Sequence, residues 1–523
     1  MAASQHEICQ WVVAAAPGGR LVSDSRQVEP GDVFFAYPGE TADGRRFIAS
    51  AVSNGAVAVV YEERDFEWDD AVAIPHLAVP ELKAQAGLIA HACLGQPDAD
   101  MFTVGVTGTN GKTSCAVWLG QAFAKLGETA AVIGTLGVAM FKGHAEPEFN
   151  VTGYTTPDAV LLASRLAAVR EAKARVLAIE VSSIGLVEGR TAGLHFDVAI
   201  FTNLTRDHLD YHGDMQAYEA AKIKLFEWPG LRTAVVNLDD PAGQRLVAHL
   251  RATNPALAIT GYTLHDAAAQ PDIEGVTILR ASNKRSRPAG SEFQLDALGA
   301  SLLVKTQLVG HFNISNALAV LGALLAKGFA LKNAVEAIEA LLPAPGRMQQ
   351  VGGQDAPLVV IDYAHTPDAL EKTLGALRQV ATERGGQLWC VFGCGGDRDP
   401  GKRPQMGAIA QAADQVIVTS DNPRSEEPEA IIAQIVAGMT AATPHQAIED
   451  RATAILAAVK QANKQDVILL AGKGHEPYQE INGVRHLFDD TETARELLRR
   501  RAQHMDVQVL RPQDAEEQPQ HMD

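Results

Sequence analysis

Phe102-Thr103-Val104-Gly105-Val106-Thr107-Gly108-Thr109-Asn110-Gly111-Lys112-Thr113 is the stretch on which the fold turns. Its first six residues form an apolar run that predicts a strand, and from Thr113 to Leu126 the apolar spacing becomes helical. The glycines between them let backbone N–H groups close around phosphate oxygens, and the helix N-terminus adds partial positive charge. In that context Lys112 is placed to reach the β- and γ-phosphates of a nucleotide, and the Thr113 hydroxyl to bind Mg²⁺. A strict Walker pattern would put glycine where Val106 stands, with Gly105 and Gly108 on either side of it. An ordinary glycine-rich turn is the alternative, but Gly111-Lys112-Thr113 in this setting predicts a nucleoside triphosphate site.

Outward from this loop the chain alternates strand and helix. Strands are predicted at 130–134, 175–181, 198–203 and 232–237, with helices at 157–172 and 215–226, which implies a mostly parallel sheet covered by helices. Upstream, residues 20–98 read as a small α/β unit with strands at 32–36 and 56–61 and a helix at 81–93. Downstream, 255–310 predicts an antiparallel insert, followed by helices at 313–327 and 331–342 and a Pro343-Ala344-Pro345-Gly346 linker. A third α/β unit has strands at 358–363, 387–392, 415–419 and 466–471. The polar end, from 503, predicts a disordered tail.

Composition narrows the class. At about 150 residues per domain, 523 residues suggest three or four domains. The net charge of −18 argues against a nucleic-acid or anionic-membrane binder, both of which want a basic face. No apolar stretch approaches the ~18 residues that span a bilayer. Trp11–Ala16 is too short, and has no basic residue before it, for a secretory signal. Five cysteines without zinc-like spacing fit a reducing cytoplasm.

Several polar residues follow predicted strands. Glu180 ends one and would point into the crevice where such sheets bind ligands, a candidate Mg²⁺ ligand or simply a solvent-facing carboxylate. Asn203 through His212 packs ligand-type residues densely around His208. Lys222 lies on a rather apolar helix face, where sequence physics alone favours a snorkelling lysine.

Together Gly108–Thr113, Glu180-Val181-Ser182-Ser183, Asn203–Tyr211, His311-Phe312-Asn313, Gly346-Arg347-Met348 and Asp362-Tyr363-Ala364-His365 resemble the motifs of the Mur ligase family of ATP-dependent amide-bond ligases. The resemblance runs from about Leu21 to Leu498. It implies an α/β chain of three domains: a UDP-binding domain over 1–98, a central P-loop ATPase domain with a mostly parallel sheet over 99–343, and a Rossmann-like domain over 344–502. It also implies the reaction. ATP phosphorylates a substrate carboxylate to an acyl phosphate, which an incoming amine then attacks.

By the same resemblance, Gly108, Thr109, Asn110, Gly111, Lys112, Thr113, Asn313, Arg347 and Asp362 hold ATP, and Lys112, Glu180, His208 and Lys222 are catalytic. Thr113, Glu180, His208 and Lys222 would serve Mg²⁺, with Lys222 carried as a carbamate (N6-carboxylysine). Ser25, Thr41, Ala42, Thr155, Thr156, Ser182 and Arg190 match positions that bind the UDP-muramoyl peptide. Ile184 departs from a frequent His, and Glu188 from a frequent Gln.

Asp421-Asn422-Pro423-Arg424 matches the signature of the family branch that adds meso-2,6-diaminopimelate to UDP-N-acetylmuramoyl-L-alanyl-D-glutamate in cytoplasmic peptidoglycan precursor synthesis. A guanidinium fork suits the carboxylate that distinguishes this amino acid from lysine. Arg424 would supply it, Arg398 a second cation, and Gly472 and Glu476 the seat for the distal end. A lysine-adding relative and a folylpolyglutamate-synthetase-like ligase are the enzymic alternatives, and a silent nucleotide-binding scaffold the non-enzymic one. The expected partners are these small molecules, with no nucleic acid, no membrane insertion and a monomeric chain.

Overall fold

The computed structural model describes residues 4–39, 42–145, 147–151, 153–287, 290–440 and 444–503. The expectation of a disordered tail concerns 503–523, of which 504–523 lie outside the described residues. By packing, the chain divides into two compact units. One holds 1–282, 294–302 and 315–341, and the other 283–293, 303–314 and 342–523.

The first unit opens with the helix Gln5–Ala15, closed by a Ser4/Glu7 capping box. Its first sheet has four parallel strands in chain order, Leu21–Val22, Val33–Ala36, Ala58–Glu62 and His76–Val79. Alternation sends Val33 and Phe35 to one face and Phe34 and Ala36 to the other, and both faces are covered. The first face packs on Val160 and Ala163 of the helix Ala159–Glu171, which follows the phosphate loop in sequence. That shared core is why the N-terminal layer and the central sheet form one packing unit.

The central sheet carries its parallel strands in the spatial order Ala258–Thr263, Thr233–Asn237, Val198–Phe201, Phe102–Thr107, Val176–Glu180, Ala130–Gly134. Only Gly137–Phe141, beside Ala130–Gly134, runs antiparallel among these neighbours. The antiparallel insert expected over 255–310 is corrected at its start. Ala258–Thr263 lies parallel to Thr233–Asn237, and the Val276–Arg280 segment lies parallel to it in turn. The helix Pro241–Thr253, capped by Asp240 with Pro241 in its first turn, makes the crossover that a parallel strand requires. Its Ala, Gly and Arg content had masked an amphipathic face of Leu246, Val247 and Leu250.

The second unit is an open sheet ordered Gln349–Gly352, Leu358–Asp362, Val467–Ala471, Leu388–Phe392, Gln415–Val418, His445–Ala447, parallel except for its first strand. Pro367–Arg384, Lys402–Ala410 and Pro428–Val436 cover one face, and Arg451–Gln461 and Asp490–Ala502 the other. A hairpin, Tyr478–Ile481 with Val484–Leu487, follows the last parallel strand and has no counterpart in the sequence reading. Among the described residues no helix is long and apolar enough to cross a membrane.

Candidate active site

The phosphate loop leaves the carboxyl end of Phe102–Thr107, between the ends of Val176–Glu180 and Val198–Phe201. Gly108 has a φ of +143°, and a Cβ there would meet the Thr202 hydroxyl at 1.8 Å. The neighbouring strand end grips the loop. The Thr202 hydroxyl and Asn203 Nδ2 donate to the Asn110 carbonyl (2.6 and 3.0 Å), and the Asn110 N–H donates to Asn203 Oδ1 at 2.9 Å. Thr109 Oγ1 accepts the Thr205 N–H at 3.0 Å and lies 3.1 Å from the Tyr218 hydroxyl. Lys112 Nζ donates to the carbonyls of Gly108 and Thr109, both at 2.9 Å.

Glu180 is buried at the end of its strand. One carboxylate oxygen accepts the Thr135 N–H (2.8 Å), and the other accepts the hydroxyls of Thr113 (3.0 Å) and Thr135 (3.2 Å). A Cβ on Gly134 would stand 2.1 Å from Glu180 Oε1, so the carboxylate needs glycine at that position. The Thr156 hydroxyl donates to the Glu180 carbonyl at 2.8 Å and receives the Ser182 N–H at 3.0 Å. Thr155 Oγ1 is 3.0 Å from Thr135 Oγ1, and the Arg190 guanidinium donates to the Thr156 carbonyl at 3.2 Å. Thr155, Thr156, Ser182 and Arg190 therefore gather around the same strand end as Glu180.

Lys222 is 2% exposed, donates to the Gly108 carbonyl at 2.9 Å and lies 4.3 Å from the centre of the Tyr218 ring. Burial, and then the nearby Lys112 charge, hold its amine well below the usual lysine range. His208 has a left-handed backbone with φ +51°. Burial lowers its pKa; Lys112 and Lys222 push the same way, against Asp207. Among the described residues no three His, Cys, Asp or Glu side chains form a metal cluster. The Mg²⁺ set read from sequence holds only two residues of those types, Glu180 and His208, and adds a hydroxyl and a lysine. The hard oxygens of Thr113 and Glu180, 3.0 Å apart at a helix N-terminus, fit a magnesium ion that keeps water and phosphate ligands. A lysine fits only once its amine has become an anion.

The expected nucleotide positions of the N-terminal layer are simpler. Ser25 is buried and its carbonyl accepts Asn54 Nδ2 at 2.9 Å, while the Ala42 carbonyl accepts the Gly39 N–H at 2.8 Å. Thr41 lies outside the described residues.

Within the second unit, Asp362 accepts the N–H groups of Met348 (2.9 Å) and Ala364 (3.0 Å), and burial raises its pKa. Arg347 stacks over Tyr363 at 4.5 Å, and Asn313 Nδ2 donates to the Val309 carbonyl at 2.9 Å. The Asp421–Arg424 segment is bound to the first hairpin strand. The Arg424 N–H donates to the Glu480 carbonyl (2.9 Å), the Glu480 N–H to Asn422 Oδ1 (2.9 Å) and Gln479 Nε2 to the Asp421 carbonyl (2.7 Å). Asn422 Nδ2 donates to Glu476 Oε2 at 2.8 Å. Burial, with Asp421 nearby, raises the Glu476 pKa. A Cβ on Gly472 would stand 2.3 Å from Asp421 Oδ2. Asp421, Asn422, Arg424, Gly472 and Glu476 are thus brought together, and Arg398, though exposed, lies beside Arg424: a Cβ on Gly395 would meet Arg424 Nη1 at 2.8 Å and Arg398 Cγ at 3.7 Å.

Sequence reasoning passed over Thr135, Thr202 and Tyr218, which hold Glu180, the phosphate loop and Lys222. Thr135 and Thr202 follow or end predicted strands, so their position on the sheet's carboxyl edge was the available signal. Tyr218 precedes Lys222 by one helical turn, which was its signal. Gln479 and Glu480 had none, because the hairpin was not foreseen.

A phosphate loop backed by a strand-end carboxylate and a buried lysine defines a nucleoside phosphate site, which fits the nucleotide-dependent ligase of acids and amines that the sequence resemblance implies. Three family models match: "Mur ligase family, catalytic domain" over 20–91, "Mur ligase middle domain" over 106–324, and "Mur ligase, glutamate ligase domain" over 346–474. The UDP-N-acetylmuramoyl-L-alanyl-D-glutamate--2,6-diaminopimelate ligase of Janthinobacterium sp. (strain Marseille) is 59% identical over 488 residues, covering 93% of this chain and 95% of its own. A solved structure of a ligase of the same description superposes with TM-score 0.64 at 37% identity, covering 93% of this chain and 95% of that one. A folylpolyglutamate synthase from Mycobacterium tuberculosis shares the fold alone, with TM-score 0.59 and 20% identity over 74% of this chain and 92% of that one. The chain belongs to the Mur ligase family.

Proposed function

We propose that this chain joins meso-2,6-diaminopimelate to UDP-N-acetylmuramoyl-L-alanyl-D-glutamate with hydrolysis of ATP to ADP and phosphate, a cytoplasmic step in peptidoglycan precursor synthesis. The observation that carries this reading is 59% identity along 93% of the chain to a relative named for that reaction. The hydrogen bonding of Asp421–Arg424 to the hairpin strand, which gathers the expected amine-binding residues, supports it. The folylpolyglutamate synthase likeness rests on fold, and 20% identity carries no substrate with it.

The roles follow from the chemistry. The loop 108–113 cradles the triphosphate by backbone N–H groups, and Lys112 turns from its carbonyl partners to the transferring phosphoryl group. Thr113 and Glu180, with His208, would hold Mg²⁺, which would supply neutralisation of phosphate charge. Thr155, Thr156, Ser182 and Arg190 seat the muramoyl peptide so that its free carboxylate attacks the γ-phosphate and releases ADP. The N-terminal residues 1–98, through Ser25, Thr41 and Ala42, hold its UDP end, while 99–343 carry the ATP chemistry. The amine, seated in 344–502, then attacks the acyl carbon, and phosphate leaves as the amide forms. Asn313, Arg347 and Asp362 take the adenosine portion.

Lys222 works as a carbamate. A neutral buried amine can attack carbon dioxide, losing a proton and becoming an anionic oxygen ligand. Its depressed pKa supplies that neutral form.

Phosphate release tests the assignment. It should require ATP, the UDP-muramoyl dipeptide and meso-diaminopimelate together, and fall steeply with L-lysine or ornithine as the amine. Arg424→Ala should raise the diaminopimelate KM by about 100-fold while the ATP KM stays within about two-fold, as loss of a charged bidentate contact implies. Equal turnover with lysine, or turnover with a folate, would overturn it.

A further inference from the structure

One carboxylate near the phosphate loop has a task beyond its own helix. Asp240 stands at the N-terminus of Pro241–Thr253, where Oδ1 accepts the Ala242 N–H at 2.8 Å and caps the helix. Its other oxygen turns to a different element. Oδ2 accepts the Leu204 N–H at 2.8 Å, on the segment that follows the strand Val198–Phe201.

That segment, 202–205, runs between the phosphate loop and the turn 237–240, and its backbone groups alternate between the two. Towards the loop, the Asn203 carbonyl accepts the Thr109 N–H at 2.9 Å, and the Thr205 N–H donates to Thr109 Oγ1 at 3.0 Å. Towards the turn, the Thr202 carbonyl accepts Asn237 Nδ2 at 2.7 Å, and the Leu204 N–H goes to Asp240. The alternation is that of a strand with a neighbour on each side. On the turn side, however, the neighbouring strand stops. Thr233–Asn237 pairs in parallel with Val198–Phe201, Val236 opposite Phe201, and the chain then leaves for the helix. The side chains of Asn237 and Asp240 replace the missing strand.

The turn is itself fixed from behind. The Asp239 N–H donates to Asn237 Oδ1 at 3.0 Å, and Asp239 Oδ2 accepts the Leu264 N–H at 2.8 Å. From the next strand, the buried Tyr262 hydroxyl donates to the Phe201 carbonyl at 2.9 Å. The phosphate loop is gripped by Thr202, Asn203 and Thr205, so that segment needs an anchor other than the loop. The turn supplies it, and His208 ends the same run of chain. A helix cap alone would be served by Ser, Thr or Asn. Two N–H groups from separate elements call for a carboxylate, with an acceptor for each.

We infer that Asp240 is a positioning residue for phosphoryl transfer, anchoring the 202–205 segment so that the phosphate loop and His208 keep their places. The inference rests on the reading of this loop as the ATP site. Asp240 acts through Leu204 and touches no substrate.

Substitution separates its two tasks. Serine is a good N-cap but too short to reach a second element, so Asp240→Ser keeps the cap and releases Leu204, whereas Asp240→Ala loses both. Both variants should lower kcat about ten-fold, the size of one hydrogen bond lost behind a positioned group, with the meso-diaminopimelate KM within about two-fold of wild type. The ADP dissociation constant, measured by calorimetry without the other substrates, should rise about five-fold in both. Only Asp240→Ala should lower the thermal midpoint. Wild-type kcat and ADP affinity in Asp240→Ser overturn the inference and leave Asp240 a helix cap. So do losses that follow the thermal midpoint from variant to variant, which would make the effect one of stability. A wild-type protein that binds ADP but releases no phosphate with meso-diaminopimelate would overturn the proposed reaction instead, and ADP binding by the two variants would still test the anchor.

Discussion

The two polar clusters of this chain are built in opposite ways. Around the phosphate loop, the Glu180 carboxylate receives three donors, and Asn110 is held by both Thr202 and Asn203. Around Asp421–Arg424, the backbone is tied down to the hairpin, yet the Arg424 guanidinium stays largely uncommitted. The difference teaches a division of labour. Groups that stabilise charge developing on a phosphoryl group act best when fixed before the reaction. Groups that choose between amines must keep hydrogen-bonding capacity for the amine itself, since a buried partner left unpaired by the wrong substrate is what discriminates.

Three measurements would break or sharpen that contrast. The largest effect should come from Glu180→Gln, which keeps the shape but removes the charge held by Thr113 and Thr135. We expect kcat to fall about 10²–10³-fold, as for loss of one preorganised electrostatic group, with the diaminopimelate KM little changed. A fall expressed in the amine KM instead would mean that the phosphate cluster is not separate from amine choice. Next in size, Asn422→Ala removes the side chain that joins Glu476 to the hairpin strand. The amine KM should rise about ten-fold for two lost hydrogen bonds, with the ATP KM steady. An unchanged amine KM would show that the hairpin is not what orders the signature.

The smallest effect concerns stability, at the opposite end of the central strands. His195 Nδ1 lies 2.7 Å from Asp98 Oδ2, and Nε2 lies 3.5 Å from Asp197 Oδ2. Asp197 first, and Asp98 with it, raise the His195 pKa to about 10. A raised pKa means that the folded form holds the proton more tightly than the unfolded chain. The stabilisation is therefore complete below the unfolded value of about 6.5 and disappears as pH rises through about 10. Thermal midpoints of the wild type and His195→Gln should differ most near pH 6 and converge towards pH 10. A gap that stays constant across this range would locate the role of His195 in packing, away from charge.

The central unit was legible because its chemistry lies at strand ends within local motifs. Strand Phe102–Thr107, helix Lys112–Lys125 and strand Val176–Glu180 fall within a residue or two of their predicted bounds. Lys222 was read on sequence physics alone as a snorkelling lysine, but it is buried: Tyr218 packs on it from one turn earlier in the same helix, and the Gly108 carbonyl comes from an element that only folding brings to it. Pro241–Thr253 was missed because its apolar face is narrow, and with it went the parallel course of Ala258–Thr263. The hairpin was missed because its outer strand, Val484–Leu487, is exposed along its whole length and has no buried face for an apolar alternation to mark.

By itself the sequence determined the alternation of strands and helices, the phosphate loop and the family signature, since each depends on residues close together in the chain. Only the tertiary structure decided which side chains hold those motifs. Thr135 beneath Glu180, the Gly108 carbonyl against Lys222, and Gln479 and Glu480 beside Arg424 all take their places through folding. Hydrogen bonds and burial are set by proximity in space, and a parallel sheet brings together strand ends that the chain keeps far apart.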